Sequence, residues 1–83
     1  MFTTYVLHSE THDKIYIGFT SNLEQRLLSH NQLATKGWTI KFRPWELIYK
    51  EEFETKSQAM KREQELKSFQ GRQFIRSLIE KHR

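Results

Sequence analysis

The chain has 83 residues, of which 36% are hydrophobic, 29% are charged and 13% are aromatic, so we expect one polar but globular domain over residues 1–83. It has no cysteine, which excludes a disulfide framework and a zinc–thiolate site, and its apolar runs are too short for a membrane span or a signal peptide. We therefore expect a cytoplasmic protein without membrane contact. The formal net charge of +4 favours a polyanionic partner such as nucleic acid.

Three segments predict β-strands. Phe2–Ser9 and Lys14–Thr20 are rich in β-branched and aromatic residues, and the polar ETHD between them predicts a hairpin loop. Residues 34–43 are polar and predict a loop or a short turn, and residues 44–53 (PWELIYKEEF) follow as a strand with period-two alternation. The hairpin makes the first two strands antiparallel, and the third must return to them after a helix. We therefore expect a small three-stranded sheet.

Three helices are predicted around this sheet. Ser21, with Glu24 three residues later, matches a capping box, and the helix that it opens should end near residue 31 or 33. Thr55 with Gln58 matches a second capping box, which opens a helix to about residue 69. Gly71 then separates this helix from a last amphipathic one. The order β-β-α-β-α-α predicts an α/β fold of the α+β kind.

A carboxylate interrupts the buried stripe of the second helix. Glu63 lies four residues after Ala59 and three before Leu66, so it shares their helix face. A carboxylate there is costly unless it is paired or binds a cation. The ordinary explanation is a boundary side chain that reaches solvent or pairs with a nearby arginine.

The hairpin and the first helix carry further candidate functional residues. Tyr5 and Tyr16 lie on the two strands of the hairpin, Gly18 interrupts the second strand, and Arg26 and His30 share a helix face. Each has an ordinary explanation in strand propensity, a strand-to-helix bend or a solvated helix edge. Together they supply two phenols, a guanidinium and an imidazole, and a single carboxylate would suit a loosely held Mg²⁺. Such a set fits phosphodiester chemistry.

The order and spacing of these residues resemble the GIY-YIG nuclease superfamily. Tyr16-Ile17-Gly18 matches the second half-motif, and Thr3-Thr4-Tyr5 is a degenerate form of the first, with two threonines in place of Gly-Ile. The stretches NLEQRLLSHN and AMKREQELK extend the match over nearly the whole chain. The chain is most similar to small stand-alone bacterial proteins of the type related to the excision-repair nuclease subunit.

The resemblance implies hydrolysis of DNA with one divalent metal ion, Mg²⁺ or Mn²⁺. Glu63 would hold the ion, Arg26 would steady the scissile phosphate, and His30 would act as an auxiliary beside a tyrosine that serves as general base. That base is Tyr16 or Tyr5, and we favour Tyr16.

Family nucleases generally gain target specificity from attached DNA-binding domains, so this unit would have to bind nucleic acid itself or depend on a protein partner. Basic residues crowd its C-terminal third, namely Lys56, Lys61, Arg62, Lys67, Arg72, Arg76, Lys81 and Arg83. We expect Trp45 in the core, whereas Trp38 could pack or stack on a base. The candidate nucleic-acid contacts are Gly18, Lys36, Trp38, Lys41, Arg43, Arg62 and Lys67.

The expected function is therefore a metal-dependent DNA endonuclease, structure-selective or weakly sequence-selective, with a role in DNA repair or recombination. One alternative is a nucleic-acid-binding module that retains the fold with little catalysis. Another is a protein-interaction domain of a repair complex. The sequence predicts no particular oligomeric state.

Overall fold

The structure, a computed structural model, describes residues 1–81, so His82 and Arg83 lie outside the described residues. The predicted order β-β-α-β-α-α and the α+β class are confirmed. The elements are β1 (Phe2–Ser9), β2 (Lys14–Thr20), α1 (Leu23–Leu28), β3 (Glu46–Phe53), α2 (Lys56–Lys67) and α3 (Phe69–Lys81). None of the helices between residues 1 and 81 is long and apolar enough to cross a membrane.

The sheet has the order β2-β1-β3, and both neighbours of β1 run antiparallel to it. Tyr5 pairs with Gly18 and Leu7 pairs with Tyr16 across the hairpin. Because side chains alternate along a strand, these residues face one side of the sheet and Val6 faces the other. The central strand is therefore covered on both sides, and its residues from 4 to 9 are buried.

Each side of the sheet has its own core. An aliphatic cluster joins the strands to α2 and α3, and it consists of Val6, Ile17, Leu66, Ile75 and Ile79. An aromatic cluster lies on the other side around Tyr5, Leu7 and Trp45, with Tyr16, Leu23 and Leu27 packed against it. The prediction that Trp45 is a core residue is confirmed. The two sides differ in chemistry, since the buried residues of the first cluster are all aliphatic, whereas the second contains the phenol of Tyr5.

The first helix begins one residue later than predicted. Asn22, not Ser21, is its N-cap, and the Asn22 side chain accepts a hydrogen bond from the Gln25 amide at 3.1 Å. The Thr20 hydroxyl accepts a hydrogen bond from the Asn22 amide, which holds that residue in the capping position. The helix continues as a π-helical turn over Ser29–Leu33, so its predicted end near residue 33 is confirmed.

The boundary between α2 and α3 also differs from the prediction. The capping box of Thr55 and Gln58 is confirmed, but α2 ends at Lys67, and the break falls at Ser68. The Ser68 hydroxyl donates to the Glu65 carbonyl and accepts a hydrogen bond from the amide of Gly71, so one side chain ends one helix and caps the next. Gly71 is thus part of α3 rather than a separator.

The segment before β3 differs from the prediction in two ways. Part of the predicted loop, Trp38–Phe42, forms a 3-10 helix. The third strand begins at Glu46 rather than at Pro44, because the Trp45 backbone is bonded to the Asn31 side chain instead of to β1. Both features draw this segment toward α1, on the aromatic side of the sheet.

Gly71 is required by the close approach of the two last helices. A Cβ atom at this position would lie 2.5 Å from the Cα atom and from the carbonyl oxygen of Leu66. Because the obstructing atoms are backbone, no side-chain rotation relieves the overlap. We expect Gly71→Ala to lower the free energy of unfolding by about 1–3 kcal/mol in urea denaturation, the usual cost of overpacking. Gln70→Ala, an exposed change in the same turn, is the control, and a Gly71→Ala protein as stable as wild type would contradict this account.

Candidate active site

A small cleft of about 250 Å³ lies beside the aromatic cluster, between the end of α1 and the Trp38–Phe42 helix. Five residues that the sequence predicted as functional line it: Tyr16, Arg26, His30, Lys36 and Trp38. The remaining lining residues are small or polar, so they leave room for a charged group in the cleft. It brings together three of the five predicted catalytic residues and two of the predicted nucleic-acid contacts.

Tyr5 lies behind this cleft and is connected to it by a chain of hydrogen bonds. Its side chain is 0% exposed, and its hydroxyl lies 3.1 Å from the Nε2 atom of His30. The Nδ1 atom of His30 lies 3.2 Å from the Thr39 hydroxyl. A buried phenol and a buried imidazole therefore satisfy each other, and Thr39 completes the chain.

The protonation states of Tyr5 and His30 follow from their burial. Burial raises the pKa of Tyr5 to about 12, although the neighbouring Arg26 guanidinium acts in the opposite direction. Burial also lowers the pKa of His30, and the positive charges of Arg26 and Arg43 lower it further. At neutral pH both groups are uncharged, so the Tyr5 hydroxyl donates to Nε2, and the Nδ1–H group donates to Thr39.

Arg26 and Tyr16 form the part of the site that faces the cleft. The Tyr16 ring centroid lies 6.1 Å from that of Tyr5, in a stacked arrangement, and 4.6 Å from that of His30. The Tyr5 phenol raises the pKa of Arg26 most strongly, and the Tyr16 phenol acts in the same direction. The exposed guanidinium therefore lies near both phenols. This differs from the solvated-edge explanation, in which Arg26 pairs with an acidic residue.

Gly18 leaves the room that these rings occupy. A Cβ atom on Gly18 would lie 2.8 Å from the Tyr5 hydroxyl oxygen and 3.0 Å from the Cε1 atom of Tyr16. The residue is buried within β2, so the missing side chain serves the two tyrosines. This is a packing reason for a glycine that the sequence connected with a bend or with the approach of a ligand.

Arg43 stabilises the turn that carries His30. Its guanidinium donates to the backbone carbonyls of His30, Ser29 and Ala34, at 2.6, 3.2 and 2.7 Å. These are carbonyls of the π-helical turn and the residue after it, and that of Ser29 also accepts a hydrogen bond from the Ala34 amide at 2.9 Å. Arg43 was predicted to contact nucleic acid, and the structure gives it this anchoring role. Thr39 was not predicted at all, because nothing in its local sequence distinguishes it from any other loop threonine.

Glu63 is not among the residues that line the cleft. Its neighbours Ala59 and Leu66 are buried as predicted, and its own side chain is 17% exposed and pairs with the Lys67 ammonium at 3.2 Å. Within residues 1–81, no group of three or more His, Cys, Asp or Glu side chains is placed to share a metal ion. A single, partly exposed carboxylate still suits Mg²⁺, which keeps several of its waters and binds through one or two carboxylates.

The other predicted nucleic-acid contacts have mixed surroundings. Lys41 is exposed on the Trp38–Phe42 helix. Arg62 is half-buried, and its guanidinium donates to the Glu51 carboxylate at 2.9 Å, which joins α2 to β3. Lys67 is exposed but paired with Glu63. Contacts of these residues with nucleic acid stay a prediction.

Comparisons with known proteins identify the family. Residues 1–74 match the family model of the GIY-YIG catalytic domain. A UPF0213 protein of Staphylococcus haemolyticus is 38% identical over 69 residues, which cover 83% of this chain and 84% of that protein. A UPF0213 protein of Staphylococcus saprophyticus is 36% identical over 66 residues, which cover 80% of each. The chain therefore belongs to the GIY-YIG family of nuclease domains.

Proposed function

We propose that the chain is a metal-dependent endonuclease that hydrolyses DNA phosphodiester bonds, with residues 1–83 as one catalytic unit. The observation that carries this proposal is the convergence of Tyr5, Tyr16, Arg26 and His30 at one small cleft of a basic, GIY-YIG-family chain. We further propose a structure-selective or weakly sequence-selective role in DNA repair or recombination in the cytoplasm, with a protein partner able to direct it to its target.

Arg26 is the residue that binds and stabilises the scissile phosphate. It is exposed at the cleft, whereas the other partners of the phenols are buried. A guanidinium can donate two parallel hydrogen bonds to phosphate oxygens. Because charge builds up on these oxygens in the transition state, the Arg26 donors at the cleft stabilise it.

Tyr16 is the better candidate for the general base. It lines the cleft and is only partly buried, so water can approach its oxygen. Tyr5 is fully buried, its pKa is raised to about 12, and its hydroxyl donates a hydrogen bond to His30. In this mechanism Tyr16 first loses its phenolic proton to solvent and then accepts the proton of the attacking water, and Tyr5 positions Arg26 and His30.

Glu63 would hold the single Mg²⁺ or Mn²⁺ ion, and Lys67 would release the carboxylate when the ion binds. When bound, the ion supplies Lewis-acid stabilisation of the phosphate charge. The donor chemistry is compatible with this, because the carboxylate is partly exposed and its ion pair with Lys67 is a weak surface interaction.

Removing the Glu63 carboxylate should abolish cleavage and leave the fold intact. We expect Glu63→Gln to lower the cleavage rate roughly 100-fold or more, since loss of the ion removes several kcal/mol of transition-state stabilisation. The assay is nicking of flap, branched, single-stranded and duplex DNA with Mg²⁺ or Mn²⁺, with circular dichroism as the folding check. Glu65→Gln on the same helix is the matched control. Absence of cleavage by the wild-type protein on every substrate would overturn the proposal, and DNA binding without cleavage would indicate a binding module.

Substitutions of the two tyrosines should have different effects on the cleavage rate in single-turnover kinetics. We expect Tyr16→Phe to lower the rate of the chemical step about 10²- to 10⁴-fold, the usual contribution of a general base. Tyr5→Phe should cost less in rate but lower the free energy of unfolding by about 1–3 kcal/mol, because it leaves the buried Nε2 atom of His30 without its donor. Equal rate losses without a difference in stability would contradict this division of roles.

The neutral state of His30 predicts a pH dependence of stability. Its pKa is lowered from 6.5 by folding, so the unfolded chain binds a proton more readily. The free energy of unfolding should therefore fall as the pH drops through about 6.5. Urea denaturation of the wild type and of His30→Asn checks this, with exposed His12→Asn as the control. An unchanged pH dependence in His30→Asn would contradict a buried neutral imidazole.

A further inference from the structure

An exposed tryptophan lies at the mouth of the cleft. Trp38 lines the cleft and is 48% exposed, whereas the other tryptophan of the chain, Trp45, is 4% exposed. Exposing so much of an indole costs free energy, and aromatic surface left in water next to a polar site often marks a place where something binds. The proposed catalytic steps do not use Trp38.

The Trp38 ring is held in place from behind. Its centroid lies 4.8 Å from that of Phe42 and 5.7 Å from that of Trp45. Trp45 is itself fixed, because its indole N–H donates to the Thr39 carbonyl at 2.7 Å and its backbone is bonded to the Asn31 side chain. Trp38 therefore presents its free surface in one orientation, at little entropic cost when a ligand binds.

The same contacts fix this ring relative to the catalytic group. Trp45 also packs against Tyr16, with 6.4 Å between ring centroids. A row of rings thus runs from Tyr16 through Trp45 to Trp38. Moreover, the residue after Trp38 is Thr39, which is hydrogen-bonded to His30. The distance between the proposed base and the exposed indole is consequently determined by packed, buried groups.

The surroundings of Trp38 are positively charged. Lys36 and Arg26 line the same cleft, and Lys41 is exposed on the same 3-10 helix. The Lys14 ammonium lies 5.5 Å above the ring of Phe42, which is the ring that supports Trp38. Aromatic side chains bordered by basic residues are the usual arrangement for binding a single strand, because bases stack on the rings while the cations meet the phosphates.

The size of the cleft indicates where a base would lie. At about 250 Å³ it is smaller than the roughly 300–1,000 Å³ of pockets that enclose whole small-molecule ligands. It suits a phosphate and part of a sugar, so the adjoining base must lie outside it, beside the indole. A base within a duplex has both faces covered by its neighbours, and only an unpaired base offers a free face to a ring.

We infer that Trp38 is the stacking platform for an unpaired base next to the scissile phosphate, so that the substrate is a DNA strand that is single-stranded at this position. This inference rests on the proposed function for the scissile phosphate, but the stacking itself can be measured without cleavage. It assigns Trp38 the role of a specificity-determining residue, and Trp45 that of its support.

Binding should be measured with the Glu63→Gln protein, without metal, on three probes of equal length. These are a single-stranded oligonucleotide, its duplex, and a strand of abasic sites, which keeps the phosphates but has no bases. We expect the single strand to quench the tryptophan fluorescence and the abasic strand not to do so. Trp38→Ala should weaken binding of the single strand about 5- to 150-fold, the effect typical of one stacked base, and leave the abasic strand unchanged. Trp38→Phe should retain most of the affinity.

Phe69→Ala is the matched control, because Phe69 is a 76% exposed aromatic residue on α3 and does not line the cleft. Equal affinity of Trp38→Ala and its parent for the single strand, or equal losses on single strand, duplex and abasic strand, would overturn the inference. Cleavage by the wild type with no effect of Trp38→Ala on binding or rate would remove this inference alone. Stacking without any cleavage would remove the proposed endonuclease function and leave the platform.

Discussion

The hydrogen bond between Tyr5 and His30 is the constraint from which the rest of the site follows. It joins the central strand to the π-helical turn after α1, two segments separated by 25 residues. Both groups are buried, so each would leave an unsatisfied polar atom without the other. Once this bond holds the turn against the sheet, Tyr16 packs on the imidazole and Arg26 lies near both phenols.

Several features of the fold serve this one contact. Gly18 leaves space for the two tyrosine rings, and Arg43 ties the carbonyls of the turn that carries His30. The Thr39 hydroxyl accepts a hydrogen bond from the Nδ1–H group of His30. Since these groups come from separate parts of the chain, the site is preorganised by packing and hydrogen bonds rather than by one rigid element.

The two sides of the sheet divide stability from chemistry. The aliphatic cluster around Val6 and Ile17 binds α2 and α3 to the strands, and its buried residues are all aliphatic, with Tyr49 packed against them. The aromatic cluster on the other side carries the phenols, the imidazole and the guanidinium. Glu63 belongs to α2, whose Ala59 and Leu66 are buried, and it meets Lys67 rather than a second carboxylate.

Much of this arrangement is determined by the sequence alone, because it depends on short-range periodicity. The period-two pattern of the hairpin determines that Tyr5 and Tyr16 share one face, and the four-residue spacing does the same for Arg26 and His30. The capping box of Thr55 belongs to the same class of local signal. Such patterns specify the element and the face of each residue, but not its partner.

Only the tertiary structure decided the partners. Asn22 and Ser21 are both good N-cap residues, and the hydroxyl of Thr20 selects Asn22. Arg43 reads as one more surface cation until the carbonyls of the π-helical turn are brought to it. Likewise, the sequence left Trp38 open between packing and stacking, and tertiary packing leaves it exposed at the cleft. These outcomes depend on which distant groups share a buried volume, which local propensity does not encode.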